Sequence, residues 1–432
     1  MAEFGGASQK RKVFYGWYIV AVGFLGNFAS VFSLSSTLGV FMQPMTRDLG
    51  VSRGVFSLLR SGEGLIGAGL SPLIGSMVDR HGPRWLMTFG ALAVGVGFVV
   101  LSRVEAFWQF LAVRWTLSIG DAFMAYMVIN VAVSRWFIRK RGRAVALSSM
   151  GVGFAKIGLP IFAAFLIAWL GWRSAWAVFG IITLALVVGP AAIFMRRRPE
   201  DMGLNPDGAA EPYYRGASTS RGEGNRPTQQ VKALAEEAVW SRGEAVRTRA
   251  FWVIVATLTI SNIGIAGLNL HVFPYVNEVS GSTAVAAGVL SVIAFSQLSF
   301  PLVWGLIAER IEAPRALVIK FLVQAAGLLL IVSTTRLPVL YLGFFMYGIG
   351  ISGGMVLTDM LWAGYFGRLS MGAVRGLGLL MTHGLAAAGP PFFGFLYDIT
   401  KSYFLPFVLM IAALGTSALL CLTLSPPEKG PR

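Results

Sequence analysis

Gly75-Ser-Met-Val-Asp79-Arg80-His-Gly82-Pro-Arg84 is the stretch that decides the fold of this chain, because a second version of it follows 230 residues later. The second version reads Gly305-Leu-Ile-Ala-Glu309-Arg310-Ile-Glu-Ala-Pro-Arg315. Each version lies between two long apolar runs. A charged turn that recurs at about half the length of the chain predicts two similar bundles of helices in one polypeptide.

The composition indicates that these helices lie in a lipid bilayer. Of the 432 residues, 55% are hydrophobic and 13% are charged, whereas about a quarter are charged in an average soluble domain. The apolar runs have about the 20 residues or more that one crossing needs. They fall near residues 15–42, 54–78, 84–103, 105–135, 142–170, 172–195, 250–278, 283–308, 314–334, 337–366, 372–399 and 402–424. We predict an all-α membrane protein with twelve transmembrane helices in two pseudo-symmetric six-helix bundles.

A long polar segment divides the runs into six and six. It is rich in Gly, Ser, Arg and Gln, and it has too few apolar residues to bury a core. Its end, near 231–246, could form a short amphipathic helix on the membrane surface. The predicted divisions are a cytoplasmic tail 1–14, a bundle 15–195, a cytoplasmic linker 196–249, a bundle 250–424 and a cytoplasmic tail 425–432.

The net charge of +16 follows a topological pattern. Of the 36 Lys and Arg residues, six lie in the odd-numbered connections, four lie inside the apolar runs, and the remaining 26 lie in the termini and even-numbered connections. The positive-inside rule then predicts that both termini are cytoplasmic, and we expect a multi-pass protein of the inner (cytoplasmic) membrane. The charge is therefore explained by topology and by contact with anionic lipid, without a nucleic-acid partner.

The sequence lacks the usual signatures of cofactor and nucleotide chemistry. It has one cysteine, Cys421, and three well-separated histidines, His81, His271 and His383. A cage of cysteine and histidine ligands is not expected from this set. A Gly-x-x-x-x-Gly-Lys-Ser/Thr loop for nucleotide phosphates is absent as well. We expect no cofactor, no bound metal, no nucleotide and no enzymatic activity.

The repeated turn resembles a known family. The pattern Gly-x-x-x-Asp-Arg-x-Gly-x-Arg in 75–84, with twelve runs and a central loop, resembles the major facilitator superfamily over nearly the whole chain. Further stretches resemble bacterial members of its monocarboxylate and oxalate–formate branch: Tyr15-Gly-Trp17, Arg198-Pro-Glu-Asp-Met-Gly-Leu-Asn-Pro-Asp-Gly208, Arg247-Thr-Arg-Ala-Phe-Trp252 and His271-Val-Phe-Pro274. The resemblance implies a monomer that moves small organic anions, often with a proton or in exchange.

The eighth run departs from that branch. The better-known members carry an arginine there that grips the carboxylate, whereas residues 288–308 contain no Arg or Lys. They offer Ser291, Ser296, Gln297 and Ser299 instead. Either the anion is held elsewhere, or the substrate is not a simple monocarboxylate.

Charged residues inside the apolar runs are the main candidates for a binding site. Each costs about 2.5–3.5 kcal/mol on insertion scales, so each needs a cavity or a partner. Arg114 lies near mid-depth, and its planar guanidinium suits a carboxylate. Lys320 lies early in its run, and we expect it to extend to the membrane surface. The predicted substrate-binding residues are Arg114, Lys156, Arg60, Asn27, Tyr126, Asn269, His271 and Tyr347.

Structural alternatives remain open for several of these charges. Arg60 and Glu63 are one helical turn apart, so they could form an ion pair that only neutralises itself. Arg114 could likewise pair with Glu63. Asp359 could pair with an arginine of the 310–315 or 368–375 connection. The predicted proton-coupling residues are Glu63, Asp121, Asp359 and His383, although a lone histidine is more often a packing residue.

The repeated turn itself predicts a gate. A carboxylate at this position can cap a neighbouring helix of the other bundle and pair with its arginines, which would hold the cytoplasmic side shut. The alternative is that these charges only mark the loop side. The predicted gating residues are Asp79, Arg80, Arg84, Glu309, Arg310 and Arg315.

These observations favour a proton-coupled secondary transporter of small organic anions that works by alternating access. The second hypothesis is a proton-driven exporter of amphipathic drugs or metabolites, suggested by the many Phe, Met and Trp residues. A receptor or an intramembrane enzyme is a third class. Uptake of labelled carboxylates into liposomes, compared with transport of a lipophilic cation, would distinguish the first two.

Overall fold

The computed structural model describes residues 14–124, 126–137, 140–208, 240–367 and 374–427, and the regular secondary structure of these residues is helical. Ten of the described helices are long and apolar enough to cross a bilayer. One of the ten, with 52 residues, is interrupted at Gly171, whose φ of +79° is not helical. Counting its two parts, and the more charged helix Arg53–His81, the arrangement fits the twelve predicted spans.

The first six spans form the amino-terminal half. Span 5 and span 6 share the helix Arg141–Thr183, which Gly171 divides. The helices are Gly16–Ser30 and Ser35–Asp48 (span 1), Arg53–His81 (span 2), Pro83–Leu101 (span 3), Phe107–Phe123 and Tyr126–Trp136 (span 4), Arg141–Thr183 (spans 5 and 6), and Leu184–Val188 with Gly189–Phe194 (end of span 6).

The last six spans form the carboxyl-terminal half. Their helices are Arg249–Ser280 (span 7), Thr283–Ser299 and Pro301–Ala308 (span 8), Ala313–Ser333 (span 9), Leu337–Phe366 (span 10), Gly376–Ala386 and Gly389–Thr400 (span 11), and Phe404–Leu422 (span 12). Two short 3₁₀ turns, Glu200–Met202 and Pro206–Gly208, and the helix Arg242–Val246 lie between the halves. Of the predicted surface helix at 231–246, residues 231–239 lie outside the described part.

Glycine and proline set the ends and breaks of several spans. Gly82 has a φ of +76° and is followed by Pro83 at the first position of span 3, which gives a sharp turn with a preorganised helix start. Gly281, with a φ of +66°, ends span 7 in the left-handed conformation typical of a helix terminus. Pro301 begins the second part of span 8 in the same way as Pro83.

The two halves meet along a contact surface that we call the seam. Across it, span 1 packs on span 7, span 2 on span 11, and span 5 on span 8. Some of these approaches require glycine: a Cβ atom at Gly39 would lie 2.6 Å from the carbonyl oxygen of Leu270, and one at Gly394 would lie 2.7 Å from that of Arg53. Small residues allow helices to approach this closely.

The connections between spans lie alternately at two ends of the molecule. We call the end where span 1 begins and span 12 ends the terminal end, and the opposite end, which includes residues 49–52 and Gly281, the distal end.

Candidate binding site at the seam

The break in span 1 organises the polar centre of the seam. Leu34 is extended, with φ −73° and ψ 157°, so the helix stops at Ser33. The freed carbonyl oxygen of Ser33 accepts hydrogen bonds from Arg60 Nη1 at 3.2 Å and Arg114 Nη2 at 3.3 Å. Its hydroxyl donates to Asp121 Oδ1 at 2.9 Å. A helix end leaves such carbonyls without intrahelical partners. Here the carbonyl oxygen of Ser33 accepts from the guanidinium groups of spans 2 and 4 instead.

Glu63 lies between two arginines. It forms an ion pair with Arg60 on its own helix, and its Oε1 lies 2.5 Å from Arg114 Nη2. Arg114 is fully buried and Glu63 is 7% exposed. The two ion pairs that the structural alternatives expected, Arg60 with Glu63 and Arg114 with Glu63, are therefore present. The position of Arg114 favours a structural role over direct contact with a ligand.

Lys156 has a different environment. Its ammonium group donates a hydrogen bond to Gln297 Oε1 at 3.3 Å, from span 5 to span 8 across the seam. Among the described residues, no carboxylate lies within ion-pairing distance of it. Lys156 thus faces the interior between the halves with a neutral partner, and no carboxylate of the described part of the chain balances its positive charge.

Two adjoining cavities open beside Lys156. The larger, of about 600 Å³, we call the seam cavity, and the smaller, of about 120 Å³, the compact cavity. The seam cavity falls in the size range of small-molecule sites, about 300–1,000 Å³. Its polar lining residues are Asn27, Ser30, Ser33, Arg60, Glu63, Ser118, Asp121, Ser149 and Lys156. The compact cavity is lined by Leu34, Ser35, Ser36, Lys156, Asn269, Leu290, Ile293, Ala294 and Gln297.

The other predicted substrate-binding residues are distributed unevenly. Asn27 lines the seam cavity and also donates a hydrogen bond to span 5, while Asn269 lines the compact cavity. Tyr347 is fully buried inside the carboxyl-terminal half and lines neither cavity, so we do not include it in the site. The side chain of Tyr126 lies outside the described part of the structure.

The four predicted proton-coupling residues lie at different places in the structure. Glu63 and Asp121 line the seam cavity. Asp359 instead forms an ion pair with Arg375 at 2.5 Å, which confirms its structural alternative. His383 is exposed and lines neither cavity, with Nδ1 3.1 Å from the carbonyl oxygen of its own helix at Leu379.

The prediction that Lys320 extends to the membrane surface is wrong. It is 3% exposed, and its ammonium lies 4.2 Å from the ring centroid of Phe321. Span 9 packs between spans 10 and 12, and the side chain is enclosed by that packing rather than directed along the helix to the interface. It lines neither cavity.

A cluster that the sequence analysis missed joins the halves at the distal end. Arg53 of span 2 forms an ion pair with Glu278 of span 7. Asp398 of span 11 accepts hydrogen bonds from the backbone amides of Arg53 at 3.1 Å and Gly54 at 2.8 Å. A carboxylate from one half thereby caps the first turn of a helix in the other. We call Arg53, Glu278 and Asp398 the distal lock.

His271 belongs to this distal contact rather than to either cavity. It is fully buried, with Nδ1 2.9 Å from Tyr403 Oη and Nε2 3.2 Å from Ser57 Oγ. Gln43 of span 1 accepts a hydrogen bond from the Asn277 side chain and donates one to the carbonyl oxygen of Pro274 on span 7. His271 thus makes an inter-half contact near the distal lock and lines neither cavity, and its substrate contact stays a prediction.

The predicted gate at the terminal end is not closed among the described side chains. Glu309 and Arg310 are exposed, and Arg315 pairs at 3.7 Å with Glu312 of its own connection. Arg84 lies 5.1 Å from the ring of Trp85, its neighbour in sequence. The side chains of Asp79 and Arg80 lie outside the described part, so their predicted role stays a prediction.

Known proteins resemble this chain in sequence and in fold. The model of the Major Facilitator Superfamily matches residues 23–296. The chain belongs to this superfamily. It is accordingly a membrane transport protein and not an enzyme.

Two relatives and one solved structure are similar to most of this chain. The chain is 25% identical to mouse monocarboxylate transporter 6 over 400 residues, which cover 89% of this chain and 82% of that protein. It is 26% identical to the oxalate:formate antiporter of Oxalobacter formigenes, over 77% of this chain and 74% of that one. In fold, it is similar to a bacterial homologue of the human lysosomal transporter Spinster, with a TM-score of 0.71, 16% identity, and 95% and 98% of the two chains covered.

Proposed function

We propose that this transporter moves small organic anions of the monocarboxylate kind, together with a proton, by alternating access. The observation that carries the proposal is Lys156, a cation that lines both cavities and has no carboxylate partner among the described residues. Two of the relatives are named for monocarboxylates and for oxalate and formate, which supports the same class of substrate.

The charges at the seam favour an anion. Arg60, Arg114 and Lys156 oppose two carboxylates, Glu63 and Asp121, so the cluster carries one net positive charge when both acids are ionised. A buried charge without a partner is costly, and a bound monoanion would offset it. If one proton accompanies the anion, the loaded and the empty cluster carry the same net charge, which suits a carrier that must move in both states.

Removing the charge of Lys156 tests this assignment. Lys156→Gln should weaken the binding of pyruvate by about tenfold or more, since a hydrogen bond to a charged group contributes about 1.5–3 kcal/mol. Isothermal titration of the purified protein with lactate, pyruvate and oxalate would measure it. Lys320→Gln, which removes a buried charge away from both cavities, should bind as the wild type does. Unchanged affinity in Lys156→Gln would remove Lys156 from the site.

Asp121 is the best candidate for the proton site. It lines the seam cavity, and the hydroxyl of Ser33 donates a hydrogen bond to it. Among the described residues, no lysine or arginine pairs with it, although Arg114, Arg60 and Glu63 lie nearby. Protonating Glu63 instead would leave two arginines without their anion. Protonating Asp121 breaks no ion pair between described residues, because its hydrogen-bond partner is the neutral hydroxyl of Ser33. Protonation of Asp121 is therefore less disruptive than protonation of Glu63.

The positions of the charges and contacts support a conformation that faces the cytoplasm. The positive-inside pattern favours a cytoplasmic terminal end. The distal lock holds the halves together at the other end, whereas at the terminal end Arg315 and Arg375 pair with carboxylates of their own half. A site near mid-depth would then be reached from the cytoplasm and closed off from the outside.

The exporter hypothesis has less support. Among the described lining residues of the two cavities there is no aromatic side chain. Sites for amphipathic compounds are lined mainly by apolar and aromatic groups. The many aromatic residues of the chain thus lie elsewhere, and the cavity chemistry fits a small charged substrate better.

A further inference from the structure

We infer that Lys156 and Gln297 form one carboxylate seat shared by the two halves, in which the carboxylate takes the place of the hydrogen bond that now joins them. This inference rests on the function proposed above. The bond links Lys156 Nζ to Gln297 Oε1 at 3.3 Å, and both side chains line the compact cavity. One comes from span 5 and the other from span 8, so the seat exists only where the halves meet.

The two side chains are held opposite each other by close packing of spans 5 and 8. Ser291 Oγ donates to the carbonyl oxygen of Ile157 at 2.5 Å. A Cβ atom at Gly153 would lie 2.8 Å from Leu298 Cδ1. These two contacts join spans 5 and 8 close to Lys156 and Gln297, so the distance between the two side chains depends on how the halves are positioned.

A carboxylate fits this pair better than the amide does. An amide oxygen is a neutral acceptor, whereas an ammonium–carboxylate hydrogen bond is shorter, about 2.7–2.9 Å, and roughly twice as strong. One carboxylate oxygen would accept from Lys156. The other would accept from the side-chain NH₂ of Gln297, which needs only rotation of the amide. The ligand then bridges the halves where a direct bond did so before.

The compact cavity limits the chemical class of the ligand. Its volume is about 120 Å³, against about 600 Å³ for the seam cavity, so it suits a carboxylate on a short chain. Ser35, Ser36 and Asn269 line the same walls and can bond a second oxygen atom. We therefore assign the seat to short 2-hydroxy or 2-oxo acids and oxalate. The cation lies on span 5 and the amide on span 8, which is how this chain binds an anion without an arginine in span 8.

Placing a fixed carboxylate in the seat gives the first test. Gln297→Glu should occupy Lys156 permanently and weaken pyruvate binding at least tenfold by isothermal titration. Ser299→Ala changes an exposed side chain of span 8 that lines neither cavity and should keep the affinity within about threefold. Wild-type affinity in Gln297→Glu would overturn the inference.

Moving the cation across the seam gives the second test. Lys156→Gln should lose binding, and the double variant Lys156→Gln/Gln297→Lys should recover at least tenfold of the lost affinity. The control Lys156→Gln/Ser299→Lys places the charge two residues away on another face of span 8 and should not recover it. Absence of recovery in the first double variant, or equal recovery in both, would overturn the shared seat.

Ligand binding by the wild-type protein separates failure of the proposed function from failure of the shared seat. If the wild-type protein binds none of lactate, pyruvate and oxalate, the proposed function itself is contradicted. If it binds them, but neither Gln297 variant behaves as described, only the shared seat is contradicted. Should Gln297→Glu not give folded protein by size-exclusion chromatography, the charge-moving variants decide alone.

Discussion

Lys156 and Arg114 are both basic side chains in membrane-spanning helices, but the charges of their partners differ. Arg114 is fully buried and paired with Glu63, so its charge is already balanced. Lys156 bonds a neutral amide beside a cavity, so its charge is available. The sequence could list both as candidates. It could not separate them, because the pairing of residues 51 positions apart leaves no local pattern.

At the residue scale, breaking the Arg114–Glu63 pair should reduce stability. Arg114→Gln leaves Glu63 with one guanidinium partner, and loss of one member of a buried pair costs about 3–5 kcal/mol. Thermal unfolding of the purified protein should show a clearly lower midpoint. The double variant Glu63→Gln/Arg114→Gln should lose less stability than the two single changes added together, since the pair is coupled. Strict additivity would contradict the pairing.

Asp121 provides a second prediction at this scale. Asp121→Asn removes the titratable group but keeps a partner for Ser33, so pyruvate should still bind within about threefold. Uptake into liposomes with an alkaline lumen should no longer exceed uptake without a pH gradient. Asp359→Asn, a matched change outside the cavities, should retain the gradient effect. Normal gradient-driven uptake by Asp121→Asn would assign the proton to another group.

At the element scale, the break in span 1 was the important feature that sequence reasoning missed. The run 15–42 was predicted as one helix, whereas the structure has two helices that are separated at Val31–Ser33 and continue to Asp48. The signal was present as the serines at 30, 33, 35 and 36, because serine side chains compete for backbone groups and weaken a helix. Within a strongly apolar run, that signal was outweighed by hydropathy.

The distal lock was also missed by sequence reasoning. The repeated turn predicted contacts between the halves at the terminal end, whereas the distal lock joins them at the distal end. Gly394-x-x-x-Asp398 has the same spacing as Gly75-x-x-x-Asp79. That third copy was the available signal. Its cap on Arg53, 345 residues away in sequence, could be found only from the fold.

The distal lock yields a prediction at the element scale. Asp398→Ala removes the cap from span 2, and a helix cap contributes about 0.5–2 kcal/mol. The population with an open distal end should therefore rise several-fold. Spin labels at Arg47 and Ser402, in a Cys421→Ser background, would report the distance between the halves at that end. Lys401→Ala, in the same connection, should leave it unchanged; an unaltered distribution in Asp398→Ala would show that the cap does not hold this end closed.

At the scale of the whole molecule, the fold was largely predictable and the site was not. Twelve apolar runs, their division into six and six, and the resemblance of the repeated turn led to the correct superfamily. Hydropathy and spacing specify spans because the bilayer imposes one length on every crossing. The seam contacts depend on how the two bundles face each other, and neither hydropathy nor motif spacing contains that information.

Transport of a small organic anion through the cavity beside Lys156 is the central proposal. The most direct measurement is uptake of labelled pyruvate into liposomes that contain the purified protein and have an alkaline lumen. We predict accumulation above protein-free liposomes, abolished by a protonophore and by Lys156→Gln, and retained in Lys320→Gln. Absence of uptake for pyruvate, lactate and oxalate by folded protein, together with transport of a lipophilic cation, would contradict the account.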